Sequence, residues 1–244
     1  MSTVLIVGSS RGLGLALVKY CAQIPQISLV LAGARSCSPA LEETTQQTNQ
    51  RVVFIPLDVC DNGSVLKSIE HLPTALQANG LDILINCAGV SSETHGKVAQ
   101  MSDLSDQLSV NVVGAHNLIS SYLPLLQKGK LKKVANISTI YSSLTWAERS
   151  DFAPMPAYKI SKAALNALTV QYALSYGKEE FTFVAVHPGW LRTEMGGKDA
   201  HLSVEEGAEA VWEVISTMDQ THNGSFMNIH IPGSKIYTGG PVPW

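Results

Sequence analysis

Charge is scarce in this 244-residue chain: Asp, Glu, Lys and Arg make up 15% of it, against roughly 25% in an average soluble domain. The formal net charge is −3 and no basic cluster occurs, which argues against a nucleic-acid partner. No apolar run approaches the roughly 18 residues that a bilayer-spanning helix needs, so no membrane partner is expected. Only four cysteines occur, at 21, 37, 60 and 87, without CxxC or CxxxH spacing. That excludes a zinc site and a disulfide framework; free thiols fit a reducing, cytoplasmic compartment, and Cys87 reads as a small buried hydrophobe. The first residues run straight from Met1-Ser2-Thr3 into Val4-Leu5-Ile6-Val7. With no charged segment ahead and glycines behind, this reads as a core strand rather than a signal peptide.

Apolar residues, by contrast, reach 45%, as expected for a sheet covered on both faces. Short apolar runs alternate with amphipathic stretches along the chain. Val4 to Val7, Ser28 to Ala32, Val52 to Pro56, Ile83 to Asn86, Lys133 to Ser138 and Phe181 to His187 read as strands, with Met227 to Ile231 a candidate seventh. Helical patterns fall near 12–23, 62–78, 102–127, 157–177 and 203–219, and 38–50 is either a short helix or a loop. This alternation predicts one α/β domain over 1–244: a doubly wound, mostly parallel sheet of about seven strands flanked by helices. Ligands on such sheets bind beyond the carboxyl ends of the strands. The chemically suggestive residues converge there: Gly8, Arg35, Asp58, Asn86, Ser138 with Thr139, and Pro188 each follow a strand.

Gly8, Gly12 and Gly14, with Ser10, Arg11 and Leu13 between them, follow the first strand and open a helix. Glycine there lets backbone approach a pyrophosphate, and a helix N-terminus offers free N–H groups. The second strand ends Gly33-Ala34-Arg35-Ser36, with arginine where an acid would hold a ribose 2′-hydroxyl. Arg35, helped by Arg11, therefore favours NADP(H) over NAD. Asp58-Val59 can accept from an adenine amino group, and Asn86-Cys87-Ala88-Gly89 gives small residues against which the adenosine half can lie. Asn111, polar inside an apolar helix, needs partners, kinks its helix or anchors a water that connects Lys162 to solvent. Tyr158 and Lys162 share a helix face at i and i+4, where the ammonium can lower the phenol pKa.

Six ordered motifs resemble the classical short-chain dehydrogenase/reductase family over essentially the whole chain: the glycine turn, Asn86-Cys87-Ala88-Gly89, Asn111 in its helix, Ser138-Thr139 after the fifth strand, Tyr158-x-x-x-Lys162, and Pro188-Gly189-Trp190-Leu191-Arg192-Thr193. The stretch from His187 to Gly197 and the terminal Pro241-Val242-Pro243-Trp244 are similar to its C-factor-like and Sniffer-type carbonyl reductases. Val7 and Cys87 depart from the family's usual threonine and second asparagine. The resemblance implies a Rossmann-fold, NADPH-dependent oxidoreductase that reduces an aldehyde or ketone. Tyr158 would be the general acid, Lys162 would also hold the nicotinamide ribose, and Pro188, Gly189, Leu191 and Thr193 would lie along the cofactor. The family pattern Asn-x-Ser-Ser puts the carbonyl-binding hydroxyl on Thr139, with Ser138 the alternative. The stretch 140–156 reads as a substrate loop and about 190–202 as a lid; Tyr141, Trp146, Trp190 and Met195 would wall an apolar pocket. Long apolar helices near 104–126 and 157–176 suggest a homodimer or homotetramer. Two alternatives stay open: a cofactor-binding regulatory protein with vestigial activity, and an NAD-dependent alcohol dehydrogenase of the same fold.

Overall fold

The computed structural model describes all residues from Met1 to Trp244. Seven strands form one sheet: β1 (Ser2–Val7), β2 (Ile27–Ala34), β3 (Val52–Pro56), β4 (Ile83–Asn86), β5 (Lys133–Ile137), β6 (Thr182–His187) and β7 (Ser225–Asn228). Every pairing is parallel and the order is β3-β2-β1-β4-β5-β6-β7. From β1 near the middle the chain builds outward to β3 at one edge, then crosses back to place β4 on the other side of β1. That switch opens a crevice at the carboxyl ends of the central strands, where ligands of such sheets bind.

Two-residue side-chain periodicity divides the interior into two cores. Val4 and Ile6, Val30 and Ala32, Ile83 and Ile85, and Val184 and Val186 face one side. There α1 (Gly12–Cys21) and α8 (Val204–Thr217) supply Leu17, Val18, Val211 and Ile215. Leu5, Val7, Leu31, Leu84, Val134 and Phe183 face the other. Strands buried on both faces explain the continuous apolar runs of the sequence.

Between β2 and β3 the ambiguous segment is a helix, α2 (Pro39–Gln47): Ser38 caps it by accepting from the Leu41 N–H, and Pro39 occupies the first turn. The single helix expected over 62–78 is two, α3 (Asn62–Glu70) and α4 (Thr74–Asn79). Pro73, which lacks an N–H and restricts the residue before it, separates them. The helix expected over 102–127 is also interrupted. Between α5 (Leu104–Leu108) and α6 (Gly114–Lys128), residues Ser109–Val113 form a π-turn centred on Asn111. α7 (Pro156–Tyr176) carries the Tyr158–Lys162 face. The expected loop 140–156 contains two 3-10 turns, Ile140–Ser142 and Ala147–Ser150. No helix is long and apolar enough to cross a membrane.

Candidate active site

Three glycines shape the mouth of the crevice. Gly8 (φ 86°) and Gly12 (φ 56°) hold left-handed backbone that disfavours a side chain. A Cβ on Gly8 would lie 2.7 Å from the Ala88 amide nitrogen, and one on Gly14 would overlap the Gly8 carbonyl. The turn thus stays thin and packs the helix start directly on the strand. Ser9, which the sequence did not single out, is buried and donates to Gly33 O at 3.0 Å. Ser10 O accepts from the Ser38 hydroxyl at 2.6 Å, tying the turn to the helix after β2. This cradle, beside the free N-terminus of α1, fits a dinucleotide pyrophosphate.

Arg35 is exposed beyond β2. It and Asp58 both influence the Cys60 thiol, which places the guanidinium and the carboxylate together at one sheet corner. Arg11 is committed elsewhere, in an exposed ion pair with Glu194 at 2.6 Å. Several side chains assigned to the cofactor turn inward instead. Asn86 is buried, donates to Asn136 Oδ1 at 3.2 Å and accepts from the Ala88 N–H, so it braces the turn. Leu191 belongs to the core against Gly207. Val59 is buried with its carbonyl taken by Asn117, and all three can offer a ligand little beyond backbone. Gly189 (φ 83°) turns the chain after Pro188, and Thr193 approaches Gly12, so the segment after β6 reaches the glycine turn.

At the end of β5, three residues of one α7 face meet the strand. Thr139 lies beside the half-buried Tyr158, and its hydroxyl is the one influence that lowers the phenol pKa. Burial nevertheless dominates and pushes Tyr158 up to about 12. Lys162, only 5% exposed, donates to Ile137 O at 2.8 Å. Desolvation brings its pKa down from 10.5 to about 8. The expected acidification of Tyr158 by Lys162 is therefore not found in the chain alone. The ammonium sits 6.0 Å from the ring centroid and is engaged by a backbone carbonyl. Ser138 points away from the phenol, as strand alternation requires, and donates to Asn166 Oδ1 at 2.7 Å.

Asn111 is fully buried, and both ends of its amide are used by the protein. Its carbonyl accepts from the Val90 N–H at 2.9 Å, while its NH2 donates to Val90 O and to Ser161 Oγ at 2.9 Å. The side chain locks the loop after β4 to α7. A Cβ on Gly89 would stand 3.2 Å from both Asn111 Oδ1 and Lys162 Nζ, so glycine is what lets these groups share that corner. Cys87 packs here too, its thiol pushed up to about 12 by burial.

Around the opening, Tyr141 packs edge-on against Phe152 with ring centroids 6.0 Å apart and is felt electrostatically by Tyr158. Trp190 and Met195 are 42% and 52% exposed, consistent with a wall rather than a core. Trp146 does not join them: its ring packs against the cluster of Ala185, Phe226 and Val242, under the Arg149 guanidinium. The sequence missed Tyr237, whose hydroxyl accepts from the Trp190 N–H at 3.0 Å and meets His201 Nδ1 at 3.0 Å. No spacing signal marked Tyr237. His187, at the end of β6, is buried and pushed down to about 4 by desolvation.

A family model described as short chain dehydrogenase matches residues 2–202. The chain belongs to that family. It is 34% identical to the C-signal protein of Myxococcus xanthus over 166 residues, covering 67% of this chain and 93% of that one. Among solved structures, the carbonyl reductase Sniffer of D. melanogaster superposes with a TM-score of 0.88 at 28% identity, covering 100% of both chains. The NADPH-bound carbonyl reductase from chicken fatty liver also gives 0.88, at 25% identity, over 100% of this chain and 94% of that one. The fold is accordingly the single-domain Rossmann type of the family, and the chain is a short-chain oxidoreductase of a kind that uses a nicotinamide cofactor.

Proposed function

We propose that this protein reduces an aldehyde or ketone to an alcohol with NADPH, through Tyr158 as general acid. The observation that carries the reading is the meeting of Tyr158 and Lys162 with Thr139 at the end of β5, beneath the glycine turn. The carbonyl reductases among its structural neighbours support it. Gly8, Gly12, Gly14, Ala88 and Gly89 would line the cofactor, and Arg35 suits a ribose 2′-phosphate. When bound, the reduced nicotinamide supplies the hydride.

The chain's own residues handle the proton. A donor must be protonated before it can act, and with a pKa of about 12 Tyr158 is fully loaded at neutral pH. It gives its hydroxyl proton to the oxygen of the substrate carbonyl and is reprotonated from solvent. Thr139 donates a hydrogen bond to the same oxygen. Lys162, charged below about pH 8, places a positive charge near the phenolate that is left behind. A positioned acid of this kind contributes about 10²- to 10⁴-fold. Tyr141, Trp190 and Met195 wall the opening toward an apolar carbonyl compound.

The test is NADPH consumption across a panel of aldehydes and ketones, with NADH as comparison. Turnover should fall by about 10² or more in Tyr158→Phe. Persistence near the parent rate would remove Tyr158 from the chemistry.

A further inference from the structure

Behind Thr139 lies a closed set of buried polar side chains that the reaction does not touch. Asn166 stands one turn beyond Lys162 on α7, so Tyr158, Lys162 and Asn166 form one stripe at i, i+4 and i+8. Each meets the end of β5. Asn166 Oδ1 accepts from the Ser138 hydroxyl at 2.7 Å, and its Nδ2 donates to Ser142 Oγ at 2.8 Å. Ser142 in turn donates to the backbone carbonyl of Thr139 at 2.5 Å. All four residues are at most 7% exposed.

The donors run in one direction. Ser142 has a single proton, and it reaches Thr139 O only because the Asn166 amide donates to Ser142 rather than accepting from it. We infer that Asn166 is a positioning residue: acting through Ser142, it fixes the Thr139 backbone so that its hydroxyl faces Tyr158. The inference rests on the reductase reading for its kinetic consequence, but the placement itself can be tested without turnover.

Asn166→Asp keeps the shape and reverses the logic. An ionised carboxylate draws the Ser142 proton to itself and strips the Thr139 carbonyl of its donor; a protonated carboxyl donates as the amide did. Lys162 is the charged neighbour on that helix face, while Ser138 and Ser142 from the strand side are neutral. Below pH 8, where Lys162 stays charged, kcat of Asn166→Asp should therefore rise as pH falls while the parent stays flat. With the carboxylate ionised, kcat should fall about tenfold, as expected for misalignment worth one hydrogen bond, with NADPH affinity by fluorescence within about twofold of the parent. Ser142→Ala, which lacks the donor to Thr139 O at any pH, should show that tenfold loss throughout, and with the carboxylate ionised the double variant should be no worse than either alone.

The Cζ resonance of Tyr158, in protein labelled at the tyrosine ring carbon and assigned with Tyr158→Phe, reads the placement directly. It should move in Asn166→Asp and Ser142→Ala as it does in Thr139→Ala. A folded Ser142→Ala with an unmoved resonance, losses that multiply in the double variant, or NADPH affinity falling in step with kcat would each overturn the inference. If the parent reduces no carbonyl, the reductase reading fails, and the resonance still decides the role of Asn166.

Discussion

Lys162 holds a charge where the fold least tolerates one, and the cost can be measured. The side chain is 5% exposed, and its pKa falls from 10.5 to about 8 because burial disfavours the ammonium. Cys87, the neighbour that could offer a negative charge, has its thiol pushed up to about 12 and is neutral. At 1.4 kcal/mol per pKa unit, that fall amounts to about 3 kcal/mol of destabilisation while the group is charged. Lys162→Met keeps the length and removes the charge. It also deletes the donor to Ile137 O, a loss of about 1 kcal/mol. The variant should therefore be more stable than the parent at pH 7, by roughly 2 kcal/mol, while losing reductase activity.

The pH dependence sharpens this. Between about pH 8 and 10.5 the unfolded chain holds a proton on residue 162 that the folded chain has released. Parental stability should rise with pH across that window by up to about 3 kcal/mol, and Lys162→Met should lack that part of the rise. Urea unfolding of both proteins at pH 7 and pH 10, taken as a difference, cancels the other titrating groups. A variant less stable than its parent at pH 7, with the same pH slope, would refute the argument.

Gly14→Ala should lower stability by about 1 to 3 kcal/mol in urea unfolding and weaken NADPH binding, because its methyl meets the Gly8 carbonyl. Unfolding at the parental midpoint would show that strand and helix can part without cost. Arg35→Asp should raise KM for NADPH by about 10- to 100-fold, the worth of one charge-assisted hydrogen bond, and leave KM for NADH within a few-fold; an unchanged cofactor ratio would place the 2′-phosphate elsewhere. Leu174, 73% exposed, stands on α7, a helix expected to self-associate; light scattering should find an oligomer in the parent and a monomer in Leu174→Glu.

The fold was readable because its signal is redundant. Each strand is an apolar run, each turn carries glycine or a polar cap, and a shift of β7 from the expected 227–231 to Ser225–Asn228 moved nothing else. The breaks were written more locally, Pro73 in a residue that bars a helix and Asn111 in an amide that the backbone after β4 claims for itself. Side-chain alternation also separates Ser138 from Thr139: Ser138 turns to Asn166 while Thr139 lies beside Tyr158. What spacing could not convey was aim. An i, i+4 pair puts Lys162 on the face of Tyr158, yet a carbonyl on another element decides where the ammonium points. That carbonyl belongs to Ile137, whose position depends on where β5 stops and turns. Trp146 failed for the same reason: its composition suggested a pocket wall, but the arrival of Phe226 and Val242 from far along the chain gave its ring an apolar bed away from Tyr141. Proximity along a helix is thus legible from one dimension, whereas the partner that captures a flexible side chain emerges only when distant segments have closed around it.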